Sequence, residues 1–365
     1  MAATRPVQCL LRRVCRGSRS FGVATEVNAS SSSSSQKIID KEYEHSAHNY
    51  HPLPIVFSQA KGTSVWDPEG NKYLDFLSGY SAVNQGHCHP KILKALQEQA
   101  QRLTVSSRAF YNDRFPVFAE YVTNMFGYDM VLPMNTGAEG VETALKLARK
   151  WGYEKKRIPK DEAIIVSCCG CFHGRTLGVI SLSCDNEATR GFGPLLPGNL
   201  KVDFGDAEAL ERIFKEKGEH IAAFILEPIQ GEAGVIFPPD GYLKAVRDIC
   251  SKYNVLMIAD EIQTGLARTG KMLACEWEEV RPDIVIHINI TCRHRVNKIL
   301  DPGTPPMVSY LVPSPSKGGG RVRPSAVNAK LVDIPNNILD LKLKLFGKKK
   351  ACVVDSIDTI LLLSI

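Results

Sequence analysis

Val255-Leu-Met-Ile-Ala259 is an unbroken apolar run that ends on a carboxylate, Asp260. A strand with no polar alternation must be covered on both faces, which rules out a half-solvated antiparallel sheet for this stretch. Ala163 to Ser167, Ile221 to Leu226 and Ile284 to Ile286 have the same character, and helical patterns lie between most of them. Strands of this kind alternating with helices call for an α/β fold, a mostly parallel sheet with helices on both faces. In such sheets ligands sit beyond the carboxyl ends of the strands, so Asp260 is placed to meet a cationic group. A turn cap or a pair with a nearby Arg is the alternative reading of the same residue.

The remaining elements follow from pattern. Val65-Trp66, a turn over Asp67-Pro-Glu-Gly-Asn71 and Lys72 to Leu77 read as a β-hairpin. Pro90 opens a helix with Ile92, Leu93, Leu96 and Leu103 in a stripe. Val131 to Met134 is a strand, and Gly137 to Trp151 a helix whose Glu139 and Glu142 come early and Lys146, Arg149 and Lys150 late, as the macrodipole favours. Strands are expected at Leu177 to Leu182 and Val255 to Ala259 as well, with helices over Ala207 to Lys217 and Gly241 to Tyr253.

Composition narrows the function classes. The net charge of +6 sits at the ends: residues 1–36 carry five Arg against one acid, and 287–365 carry twelve Lys or Arg against five Asp, leaving the middle acidic. The folded part therefore offers no nucleic-acid surface. No stretch reaches the ~20 apolar residues of a membrane span. Eleven cysteines without regular spacing point to a reducing compartment. Cys168, Cys169, Cys171 and His173 lack a second paired module, and no metal is expected. Gly265-Leu-Ala-Arg-Thr-Gly270-Lys271 nearly spells a phosphate loop, but Met272 stands where the magnesium-binding hydroxyl belongs. An Arg-rich, acid-poor start followed by six serines, Ser30 to Ser35, has the composition of a transit peptide to the mitochondrial matrix.

Asn135-Thr-Gly-Ala-Glu-Gly-Val-Glu142-Thr, Phe172-His-Gly-Arg175-Thr, Glu227-Pro-Ile-Gln-Gly-Glu232-Ala-Gly and Asp260-Glu-Ile-Gln263-Thr-Gly, taken in order, resemble the aminotransferases that use pyridoxal 5'-phosphate (PLP) on terminal amines. Tyr43-Glu-His-Ser-Ala-His-Asn-Tyr50-His-Pro and Tyr80-Ser-Ala-Val-Asn-Gln-Gly-His-Cys-His-Pro narrow the likeness to the ornithine aminotransferases. The resemblance runs from about Lys37 to Ile286. It implies a truncated large domain of the fold type I PLP-dependent transferases, a homodimer or higher oligomer in intact members, and ornithine and 2-oxoglutarate as substrates, yielding glutamate semialdehyde and glutamate. Expected segments are a transit peptide and Ser-rich linker over 1–36, an N-terminal segment over 37–100, the PLP-binding domain over 101–286 and a disordered tail over 287–365.

The chemistry such a cofactor needs maps onto particular residues. Thr136, Gly137 and Ala138 open a helix after a strand, which suits a phosphate. Asp260 would keep the pyridine nitrogen protonated, the catalytic duty the resemblance assigns it. Phe172 is implied to stack on the ring and Gln263 to lie near its phenolic oxygen. Arg175 would hold the substrate carboxylate through two parallel bonds. Tyr50 and Tyr80 are implied to shape the pocket, and Glu232 to cover a second carboxylate-binding Arg.

A lysine that forms the Schiff base and then moves the proton is also required. The resemblance places it a few residues beyond Arg281-Pro-Asp-Ile-Val, where this chain has Asn289, and Lys298 stands in no comparable context. Losing that proton transfer alone costs roughly 10² to 10⁴ in rate. The tail resembles sequence from outside the normal coding frame, such as a retained intron or a mispredicted gene; the alternative is a genuine but divergent tail. This chain is thus expected to be a catalytically incomplete ornithine aminotransferase. The alternatives are a non-catalytic fragment that binds PLP or pairs with complete subunits, and another terminal-amine enzyme acting on acetylornithine or 4-aminobutyrate.

Overall fold

The computed structural model describes residues 33–287 and 290–293, the last four by their backbone alone. The readings made for 1–32, Asn289, Lys298 and 294–365 lie outside the described residues. Two compact units are present, 33–60 with 64–74 and 61–63 with 75–293.

In the first unit, helix α1 (Ser34–His45) begins inside the serine run expected to be linker. Ser33 makes this possible, because its side chain accepts the Gln36 N–H and so caps the helix. The hairpin is as the turn residues indicate: in a three-stranded sheet of β1 (Gln59–Lys61), β2 (Ser64–Trp66) and β3 (Lys72–Leu74), β2 and β3 pair antiparallel. Asp67 closes the turn, accepting from the Asn71 backbone at 2.7 Å and from the Asn71 side chain and Tyr73 hydroxyl at 2.8 Å.

The second unit opens with a four-residue turn, α2 (Ser78–Ser81), in which Ser78, Gly79, Tyr80 and Ser81 all have positive φ. The non-glycine residues of such a turn cost roughly 1–2 kcal/mol each. Asp75 holds it, accepting the N–H groups of Leu77 and Ser78 at 2.9 Å and bonding His87 at 2.7 Å. Helices α3 (Pro90–Ala100) and α4 (Phe115–Phe126) follow, then β4 (Met130–Pro133) and α5 (Gly137–Trp151). From there the chain runs β5 (Ile164–Cys168), α6 (Leu177–Ile180), α7 (Asn186–Thr189), β6 (Asn199–Val202), α8 (Ala207–Lys217), β7 (Ile221–Leu226), α9 (Tyr242–Lys252), β8 (Leu256–Asp260), β9 (Ile284–His287) and β10 (Ile290–Arg293).

The seven-stranded sheet has the order β4-β10-β9-β8-β7-β5-β6. Strands β6, β5, β7, β8 and β9 pair parallel, while β10 runs antiparallel to both β9 and β4. Neighbouring residues on each apolar strand go to opposite faces. Ile165, Ile225 and Ile258 join Val141, Ala144 and Ala148 of α5, whereas Val166, Phe224 and Met257 join Phe214 of α8 and Val246 of α9. At ~1.5–3 kcal/mol for each fully buried Ile or Phe, coverage of both faces is what makes uninterrupted apolar strands tolerable.

Two sequence readings need correction. Leu177 to Leu182 is not a strand: Leu177–Ile180 is a helical turn that buries Val179 and Ile180 and leaves Leu177 exposed, tertiary contact overriding β propensity. Strand β6 went unpredicted because Asn199 and Lys201 interrupt its apolar pattern, as an edge strand permits. Of the segment from 287 onward, the described residues continue the sheet: His287 ends β9 and Ile290–Arg293 pairs with its outer edge. That pairing gives the edge of β9 the hydrogen bonds it needs.

Candidate active site at the carboxyl ends of the strands

β5, β7 and β8 are neighbours in the sheet and parallel, so the segments that leave them emerge side by side. These segments carry Cys169 to Thr176, Glu227 to Glu232 and Asp260 to Gln263. The N-terminus of α5 joins them by close approach. A Cβ on Gly137 would lie 2.8 Å from Ile262 Cδ1, and one on Gly174, where φ is +120°, would lie 2.7 Å from Ala138 Cβ. Position 174 requires glycine, because its φ is positive and Ala138 Cβ cannot move aside, whereas a side chain at Gly137 would displace the tip of Ile262.

Asp260 is buried, and its Oδ2 meets His173 Nδ1 at 2.6 Å while Oδ1 accepts the Ile262 N–H at 3.2 Å. Burial is the largest single influence and opposes a charge on His173, but the interactions with Asp260 and Cys171 together outweigh it and the imidazole pKa rises well above its ordinary value. A charged pair therefore lies under the strand ends, and a carboxylate with two occupied lone pairs keeps two for a further donor.

Glu227 is the third member. It is buried at the end of β7 and accepts the Phe172 N–H at 3.0 Å and the Gly231 N–H at 3.2 Å. Burial pushes its carboxyl up to about 7, with the negative Asp260 adding to the shift and the positive His173 opposing it. Its folded pKa lies above the unfolded value, so the native state holds the extra proton and this group's contribution to stability falls as pH rises from about 4.5 to 7. Glu227→Gln is expected to flatten that dependence while giving up one of the two backbone bonds. Urea unfolding of both chains between those limits checks it, and parallel curves would show that Glu227 does not titrate there.

The end of α5 is a capping box. Thr136 Oγ1 accepts the Glu139 N–H at 3.1 Å, and Glu139 Oε2 accepts from Asn135 N at 2.8 Å and Thr136 N at 3.2 Å. The Thr136 hydroxyl proton and the N–H groups of Gly137 and Ala138 remain at the positive end of the helix, which suits an anion.

Other sequence-assigned residues divide as follows. Phe172 is 38% exposed and has the Arg175 guanidinium 5.9 Å from its ring centre. Gln263 Nε2 donates to Glu232 Oε1 at 2.7 Å, so these two residues, assigned separate duties, act on each other. Tyr80 lies half exposed on the left-handed turn, and Tyr50 is exposed in the first unit. The residues weighed as metal ligands have other partners: the Cys168 thiol faces the Tyr242 hydroxyl, Cys171 donates to the Leu182 carbonyl, and His173 bonds Asp260. In the sequence Glu227 stood out only as part of a motif, and His173 only as a motif residue and a discounted metal ligand. Their signal was position, since each follows an apolar strand: Glu227 follows β7, which neighbours the strand ending in Asp260, and His173 follows β5, the next strand beyond β7.

Comparison with known proteins gives this geometry a context. A family model described as aminotransferase class-III matches residues 45–288. Mitochondrial ornithine aminotransferase of Arabidopsis thaliana is 77% identical over 269 residues, 73% of this chain and 57% of the relative. The rice protein of the same name is 72% identical over 278 residues, 76% of this chain and 59% of the relative. The chain thus spans under two thirds of the length of these relatives. Among solved structures, ornithine aminotransferase of Toxoplasma gondii superposes with a TM-score of 0.72 at 44% identity, covering 75% of this chain and 67% of that one. A second structure of that protein, with a TM-score of 0.72 at 45% identity over 74% of this chain and 66% of its own, has PLP at partial occupancy in its active site.

Proposed function

We propose, from a chain that belongs to the class-III aminotransferase family, that its strand-end site holds pyridoxal phosphate and that it is the cofactor-binding portion of an ornithine δ-aminotransferase of the mitochondrial matrix. The observation that carries this reading is the buried Asp260, ion-paired to His173 and joined through Ile262 to the helix end at Gly137. When bound, the cofactor supplies an electron-withdrawing ring that acidifies the carbon bearing the substrate amine.

The chain's own residues do the rest. Asp260 would accept a hydrogen bond from the protonated pyridine nitrogen and so keep the proton there, and its burial would strengthen that bond over what water would allow. His173 fixes the orientation of the carboxylate from behind. Gly137 and Ala138 N–H groups with the Thr136 hydroxyl donate to the phosphate, while Phe172 covers one face of the ring. Glu227 holds the Phe172 backbone. Gln263 lies toward the phenolic oxygen, tethered by Glu232. Arg175 takes the ornithine carboxylate, with Tyr80 beside the α-amine; the same duty for Tyr50 rests on the resemblance alone. The resemblance implies ornithine and 2-oxoglutarate as substrates and a homodimer or higher oligomer for intact members, and this chain holds the cofactor without the covalent link that activity requires.

Pyridoxamine phosphate, with the same ring and phosphate but no aldehyde, is expected to bind the full chain at one site by calorimetry. Borohydride reduction after adding PLP is expected to give scattered surface adducts and no single saturating lysine. A stoichiometric adduct on one lysine would contradict the non-covalent reading, and absence of any binding would contradict the cofactor reading.

A further inference from the structure

Cys169 and Cys184 lie outside the duties assigned above. Cys169 follows β5 directly and is half-buried, and its backbone is fixed twice: its N–H donates to the Val202 carbonyl at 2.8 Å and its carbonyl accepts from Gln230 Nε2 at 2.8 Å. Cys184 is exposed, just before α7. Their sulfurs are 2.9 Å apart across fifteen residues of sequence. A disulfide needs ~2.05 Å, so bond formation asks the two sulfurs to close by under an ångström.

We propose that Cys169 and Cys184 are a dithiol modification site, oxidised reversibly to a disulfide by small disulfides of the glutathione type. The segment so closed into a ring carries Phe172, His173, Gly174 and Arg175, so its redox state sets how firmly the loop under the strand ends is held. Cys184, open to solvent, attacks the incoming disulfide as thiolate and expels one thiolate. Cys169 then loses its proton and attacks the Cys184 sulfur, expelling the second. Two protein thiols become one disulfide, and one small disulfide becomes two thiols. Burial and the neighbouring Cys184 push the Cys169 thiol up to about 12, so the second step is the slower one.

The test uses the full chain incubated with glutathione disulfide, blocked with N-ethylmaleimide and digested with trypsin without reductant. Cleavage after Lys160, Arg175 and Arg190 puts the two cysteines on separate peptides, 161–175 and 176–190. The expected product is these two peptides joined, with the loss of two hydrogens, and their separation by dithiothreitol. Cys168→Ser and Cys171→Ser chains are expected to form the same link, whereas Cys169→Ser is expected to stop at a persistent glutathionyl adduct on Cys184. Intact oxidised chain is expected to lose less of its loop to limited trypsin cleavage at Arg175 than reduced chain. A stable glutathionyl group on Cys184 of the unmutated chain, or a link that survives Cys169→Ser, would overturn the proposal.

Discussion

Asp260→Ala is expected to weaken binding of pyridoxamine phosphate by roughly 10- to 100-fold, the ~1.5–3 kcal/mol of a hydrogen bond to a charged group. The effect is large because the carboxylate is buried and its loss takes from both the ring nitrogen and His173 the negative partner that holds their protons. The imidazole then loses the interaction that raised its pKa and is expected to become neutral near pH 7. Calorimetry gives the affinity, and the His173 ring resonances report its protonation. An unchanged affinity with a neutralised His173 would place the cofactor elsewhere. In the unmutated chain the stabilisation from charged His173 is fully present below its unfolded pKa, near 6.5, and is lost only as pH rises through its raised folded value.

Glu261→Ala is expected to cost about 3–5 kcal/mol of stability, close to the limit for a single substitution. This side chain is fully buried beside the site but faces away from it. Its Oε2 accepts from the Thr264 hydroxyl at 2.5 Å and the Ala274 N–H at 2.9 Å, and its Oε1 accepts from the Cys275 N–H at 2.9 Å. Alanine leaves three donors inside the protein without acceptors, and the loop from 262 to 273 loses the post that returns it to the sheet. Denaturant unfolding measures the loss, with a small change in midpoint showing that water fills the space. A Glu261→Gln chain, which keeps one acceptor oxygen, is expected to fall between the two.

Much of this architecture was legible in the amino-acid order, for identifiable reasons. Strands β7 and β8 are uninterrupted apolar runs with few alternatives at that length, and α5 carries its own start signal in the Thr136 and Glu139 box and its charge gradient. Failures fell where local pattern and tertiary contact disagree. Val179 and Ile180 have β-branched side chains yet bury themselves on a helical turn, and β6 hides behind Asn199 and Lys201. Within the site, Asp260 was marked by its place at the end of a strand. Its bond to His173 spans 87 residues and left no local trace. The same holds for Glu227 under Phe172 and for Gln263 with Glu232: residue types were readable, but which of them face one another is decided by strand order.

The most direct test is the protonation state of the ring nitrogen on the bound ligand. Pyridoxamine phosphate labelled with nitrogen-15 in its ring, bound to the full chain at a pH above the free ligand's pyridine pKa, is expected to show the shift of a protonated nitrogen and a one-bond coupling to hydrogen. In Asp260→Asn, under saturating ligand, both signatures are expected to vanish. A bound nitrogen that is unprotonated in the unmutated chain, or equally protonated in both, would contradict the assignment of Asp260 as its partner.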